Sequence, residues 1–351
     1  MLDSFLSKLD AAIDSAHQAA SEDLFRRAVS YEPVERLPLT INCTLPDWPA
    51  FSYRETFDDI HKMLLAELAP VWAGANLRDD RVYTIRANYG VGAIASMFGC
   101  HVRLTEDNVL PWVTPLDSAS LDRILDSGKI SIESGLGGRV LETEQFYLKT
   151  LSRFDNLAQW VHVYLADTQG PFDNAHLIMG HTIYTELYDN PVRVHRLLEL
   201  VTDTCIRYSR AQKQITGESG PFSYHSQMIV RGGVRICDDS GINLSAELYR
   251  EFCKPYNERI LAEFGGGWIH YCGNGRQILP EVLSTSGVTG INFGQPELQD
   301  LAHVYGQAAP RKVAVLNWIG RACVPDGIRT GLTILEQVSD PQQARQIAAR
   351  R

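Results

Sequence analysis

Residues 245–273 read SAELYREFCKPYNERILAEFGGGWIHYCG. Ser245 precedes a helical run to Glu263 and is placed to cap it, with Glu247 and Glu251 near the positive end of the helix dipole. Gly265, Gly266 and Gly267 then stop the helix. The apolar run Trp268–Cys272 follows as a strand. A helix turning directly into a strand is the repeating unit of an α/β fold. The same alternation extends outward in both directions. Strands are expected at Leu37–Cys43, Arg81–Asn88, Val161–Asp167, Met228–Asp238, Trp268–Cys272, Gly290–Gly294, Lys312–Trp318 and Gly331–Val338. Helices are expected at Thr56–Ala69 and Pro191–Tyr208, each with an apolar stripe, and at Ser245–Glu263. Eight strands alternating with helices predict an α/β (β/α)8 TIM barrel, with the active site at the C-terminal ends of the strands. Leu2, Phe5, Leu6, Leu9, Ile13 and Ala16 fall at helical spacing and predict a helical extension over residues 1–30. No Pro/Gly/Ser-rich linker divides the 351 residues, so a single domain over residues 1–351 is expected.

Composition narrows the function. Lys and Arg total 33 and Asp and Glu 42, a net charge of −9, which argues against a nucleic-acid partner. No apolar window approaches the roughly 18 residues of a membrane span. Asp3, Lys8, Asp10 and Asp14 interrupt the first twenty residues, unlike a signal peptide. The seven cysteines are odd in number and widely spaced, which fits free thiols in a reducing, cytoplasmic setting. Tyr89–Ser96 resembles a dinucleotide loop but lacks its third glycine. Walker A, Gly-x-Ser-x-Gly and His-Glu-x-x-His sequences are absent.

The strand ends carry the chemistry. His270 and Cys272 are two apart, so a strand presents both on one face. Imidazole beside thiolate suits zinc, with Cys323, Glu297 or Asp238 as the third ligand. Asp167 closes another strand and either holds a substrate hydroxyl or amine, orients a ligand, or caps the helix starting near Asp173. Of Asp238 and Asp239, one faces the mouth as acid/base or ligand and the other faces outward or caps a helix. Asn88, Gln169, His225 and Tyr271 are the expected substrate-binding residues.

Taken in order, Asp167–Pro171 with Gly180, Asp189–His195, Asp238–Ser240 with Leu244–Phe252 and Pro255-Tyr256, and His270–Gly273 resemble the uroporphyrinogen decarboxylase superfamily. The resemblance runs from about Glu32 to the C-terminus. Its true decarboxylases carry an Arg-Gln-Ala-Gly-Arg motif near the first strand, whose arginines bind propionates. The corresponding stretch Leu39–Asp47 has no arginine, which disfavours a porphyrinogen substrate. The corrinoid-dependent methyltransferase branch uses a His-x-Cys pair and a later Cys for zinc. His270 and Cys272 match the pair, and Cys323 or Glu297 would complete it. The resemblance thus implies methyl transfer between a small methylated donor or acceptor and a corrinoid (cobalamin) protein docking over the mouth, with zinc as Lewis acid and Asp167 and Asp239 as catalytic carboxylates. Tyr224, His225, Trp112, Tyr271 and Trp318 would line an aromatic pocket. Family members are often homodimers. The competing expectations are a metal-independent lyase using Asp167 or Asp239 to stabilise a cationic intermediate, and a non-catalytic barrel that binds a ligand.

Overall fold

The computed structural model describes residues 2–350. Its centre is a barrel of eight parallel strands: β1 (Leu39–Asn42), β2 (Thr84–Ile85), β3 (His162–Val163), β4 (Val234–Cys237), β5 (Gly267–Tyr271), β6 (Val288–Phe293), β7 (Ala314–Ile319) and β8 (Leu332–Gln337). The backbone ladders form two arcs. Six strands run in the order β1-β8-β7-β6-β5-β4, and β2 pairs with β3. All eight strands overlap the ranges expected from the sequence, with β5, β6 and β7 running one or two residues past them, and helices connect them as a (β/α)8 barrel requires.

Side chains seal the seam between β1 and β2. The Leu39 and Ile41 amides donate to the carboxylates of Asp80 (3.0 Å) and Asp79 (2.7 Å). Arg81, fully buried, forms an ion pair with Asp79 and donates to the Ile41 and Pro70 carbonyls. At the other seam the Gly170 amide donates to the Cys237 carbonyl at 2.9 Å. A Cβ at Gly170 would lie 2.6 Å from that oxygen, so only glycine allows the approach.

Helices Leu2–Ala12 and Ser15–Val29 form the expected N-terminal extension. Phe25 and Val29 of the second pack with Val82, Met228, Ile229, Val230, Trp268, Ala314 and Leu316, closing the end of the barrel where the strands begin. Each Val, Leu, Ile, Met or Phe side chain there contributes about 2 kcal/mol by leaving water.

Three local differences from the sequence reading have plain causes. The run Met228–Asp238 is two strands, because Gly232 has a φ of 84° and turns the chain before β4. The first half, Met228–Arg231, pairs antiparallel with Phe222–His225 through a turn at Ser226 and Gln227. The run Thr56–Ala69 is two helices, Tyr53–Asp58 and Ile60–Leu77, because Asp59 is extended and caps the second. Helix Ser245–Glu263 breaks at Cys253 into Ala246–Phe252 and Lys254–Glu263, where Pro255 occupies the first turn of the second piece.

Candidate functional site

β4 and β5 put a donor cluster at the barrel mouth. Register pairs Cys237 with His270, and β6 pairs Asn292 with His270. Strand alternation turns Arg235, Cys237, His270 and Asn292 inward. One ligand atom each from Cys237, Asp239 and His270 lie within 4.8 Å of one another. Cys272 joins them: its Sγ is 3.4 Å from His270 Nε2, and its amide donates to Asp239 Oδ1 at 2.6 Å. His270 Nε2 is 3.8 Å from the same carboxylate oxygen.

The surroundings fix these groups. Asn292 Oδ1 lies 2.6 Å from His270 Nδ1, while its amide nitrogen donates to the Leu316 carbonyl at 2.7 Å. Asn292 is therefore an acceptor toward the ring, which places the proton on Nδ1 and leaves the Nε2 lone pair for the cluster. Gly294 makes room for the thiol, since a Cβ there would stand 2.4 Å from Cys272 Sγ. Burial, reinforced by Asp239, pushes the Cys272 thiol up to about 12. Burial also lowers the pKa of His270, with Arg235 adding to the effect. Neutral imidazole, thiol sulfur and carboxylate oxygen at this spacing suit a borderline-soft dication such as zinc.

Asp238 faces the opposite way from Asp239. It is fully buried and accepts from Tyr249 Oη (2.5 Å) and Asn257 Nδ2 (2.7 Å), so it is not the third ligand that the sequence offered. Burial raises its pKa to about 6 against those two hydrogen bonds. The Asp239 and Ser240 amides donate to Asp173, which holds the loop after β4 in place. Asp173 is therefore a loop anchor inside helix Pro171–Met179, which Gly170 rather than Asp167 precedes as its cap.

Asp167 sits beneath the cluster between two arginines. Arg86 Nη1 donates to its Oδ2 at 3.1 Å and Arg235 Nη1 to its Oδ1. Burial opposes ionisation there, but Arg235 and Arg86 outweigh it and hold the carboxyl well below the usual carboxylate range. At neutral pH Asp167 is a fixed negative charge and has no proton to give.

The remaining expected residues scatter. Asn88 points at Glu67, donating from Nδ2 to Oε1 at 2.9 Å. Gln169 has a φ of 49°, and its Oε1 is buried without a partner among the described residues. His225 lies deeper, its ring against Tyr164 and Trp268, and burial drives its pKa well down, with Arg235 and Arg86 adding to the shift. Tyr271 is fully buried against Phe293, on the opposite face of β5 from His270, as alternation demands. It is not at the mouth. Glu297 is exposed in a turn after β6 and is not brought to the cluster. The Cys323 side chain lies outside the described residues. Trp112 is exposed on the hairpin His101–Arg103/Trp112–Thr114, Tyr224 stacks on His162, and Trp318 packs on Phe293, so these aromatics do not share one pocket.

Sequence reasoning missed Cys237, Arg86 and Arg235. The signal was the alternation Arg235, Cys237, Asp239 running straight through the strand end. The acidic pair 238–239 drew attention from the thiol beside it.

The comparisons agree with this architecture. A methyltransferase from Methanosarcina mazei has a similar structure, with a TM-score of 0.65 and 15% sequence identity over 94% of this chain and 97% of that one. No curated protein matches the sequence. The family described as "Uroporphyrinogen decarboxylase (URO-D)" matches residues 20–315, and the chain belongs to that family.

Proposed function

We propose that the protein is a methyltransferase. It moves a methyl group between a small methylated molecule and a corrinoid carried by a separate protein that docks over the mouth. Zinc is held by His270 and Cys272 together with Asp239 and Cys237. The observation that carries this reading is the convergence of nitrogen, sulfur and oxygen donors at the mouth of a barrel of this family. The structural neighbour, a methyltransferase, points the same way. The free cysteines among the described residues suit a reducing, cytoplasmic setting. No helix among the described residues is long and apolar enough to cross a membrane.

Zinc, when bound, supplies Lewis acidity toward a methyl ether oxygen or an acceptor thiol. The protein's own groups do the rest. Asn292 holds the His270 ring so that Nε2 faces the donors. Asp239, which accepts from the Cys272 amide, ties the carboxylate to the strand end that carries the thiol. The loop anchor Asp173 keeps Asp239 from swinging outward. Asp167 fixes two guanidinium groups below the reacting region.

Metal content by mass spectrometry tests the reading, with Cys272→Ala as control. Wild type is expected to hold about one zinc per chain and the variant almost none. Absence of zinc from both, after purification without chelators, sinks it. The lyase alternative would then stand on Asp239, since both oxygens of Asp167 are already paired with Arg86 and Arg235.

A further inference from the structure

The floor of the mouth holds two cations and one anion. Arg86 follows β2, Arg235 lies in β4, and both donate to the Asp167 carboxylate, one to each oxygen. The side chains of Arg86 and Arg235 are 22% and 15% exposed, so neither is fully sealed from solvent. Arg235 Nε is buried with no hydrogen-bond partner among the described residues. Two guanidiniums carry far more donors than one carboxylate can accept.

The neighbouring acid is engaged elsewhere. Glu67 accepts from the Arg86 backbone amide at 3.2 Å and from Asn88 Nδ2, and not from either guanidinium. His225 contributes no charge at neutral pH, because burial first, then Arg235 and Arg86, disfavour its protonated form. Asp239 faces the donor cluster above. Guanidinium donors left unpaired in a half-buried site are costly until an anion completes them.

We propose that the small-molecule substrate carries a carboxylate that docks on Arg86 and Arg235. The planar fork of each guanidinium matches a carboxylate in shape and charge. The dock has an implied ruler. Arg235 and Cys237 are two positions apart on one face of β4, which is about 7 Å of strand. A substrate that reaches both levels is short, with its acid and its methylated atom separated by a few bonds or one ring. This step rests on the methyl-transfer reading for what happens at the upper end; the lower end stands on the arginines alone.

Titration calorimetry on the full chain tests the dock with 4-methoxybenzoate and acetate, each beside its amide. Both acids are expected to bind at least tenfold tighter than the amides. Arg235→Gln and Arg86→Gln are each expected to erase that preference. Asp167→Asn leaves both arginines in place and removes their internal anion, so it is expected to tighten acid binding severalfold. This opposite sign keeps the test decisive where an arginine variant fails to fold. Equal binding of acid and amide to wild type, no binding of either acid, or weaker acid binding in Asp167→Asn overturns the proposal. Zinc is measured on the same samples. Acid preference without zinc leaves the dock standing and removes methyl transfer, and zinc without acid preference does the reverse.

Discussion

His270 and Asn292 face each other across β5 and β6, with ring Nδ1 and amide Oδ1 2.6 Å apart. The contact lies on the far side of the imidazole from Cys272, so Asn292 determines the ring's tautomer and aim through Nδ1 and leaves Nε2 free. Asn292→Ala is therefore expected to weaken zinc binding about 10- to 100-fold. Competition against a chromogenic chelator measures it. An unchanged affinity would show that the ring needs no such support.

Gly294 offers a second handle on the same thiol. A methyl group there would stand 2.4 Å from Cys272 Sγ, too close for any real contact. Gly294→Ala is expected to displace the sulfur and lower zinc content to that of Cys272→Ala, with the circular dichroism spectrum retained. Full zinc occupancy in this variant would place Cys272 outside the ligand set.

The seam between β1 and β2 depends on Asp79. Its carboxylate is fully buried, pairs with Arg81 and accepts the Ile41 amide. Asp79→Ala leaves a buried guanidinium uncompensated and is expected to cost about 3–5 kcal/mol in urea unfolding. Glu199→Ala, which removes an exposed partner of Arg259, is expected to cost under about 1 kcal/mol in the same assay. Similar losses for the two would mean that the seam is not what the buried pair holds.

Glu144 makes a pH prediction. It is fully buried, neither carboxylate oxygen has a partner among the described residues, and burial raises its pKa well above the ordinary value of 4.5. The folded state keeps the proton after the unfolded state has released it. Stability from this group is thus complete below about pH 4.5 and falls as pH rises, by about 1.4 kcal/mol per unit, until the folded pKa is reached. Glu144→Gln is expected to raise the melting temperature at pH 8 and change it little at pH 4. A uniform shift at both pH values would contradict this.

Periodicity carried most of the architecture. Apolar runs bounded by glycine and polar residues marked every barrel strand, because a buried parallel strand is nearly all apolar. His270 and Cys272 were visible together because period-2 spacing is local. Glu297 and Asp238 were offered as ligands on chemistry alone, and the orientation of a strand-end side chain depends on register with its neighbour. That register placed Asp238 against Tyr249 and left Cys237 facing His270. Arg86 and Asp167 follow β2 and β3 while Arg235 lies in β4, and no local pattern joins residues 81 and 68 positions apart. Tyr271 illustrates the converse: the alternation that aimed His270 and Cys272 inward already turned it away.

The two arcs of the barrel have a mechanical consequence. Six strands share continuous ladders, while β2 and β3 hold to each other and meet the rest across seams. The short arc is a panel set into a shell, fastened on one side by Asp79, Asp80 and Arg81 and on the other by the Gly170 amide and the Asp167–Arg235 pair. Backbone ladders exchange slowly, whereas fastenings made by single contacts release one at a time. Amide protection is expected to be highest in β5–β8 and lowest in the panel, so the wall that carries Arg86 is the part of the ring free to breathe while the donor-bearing wall stays rigid.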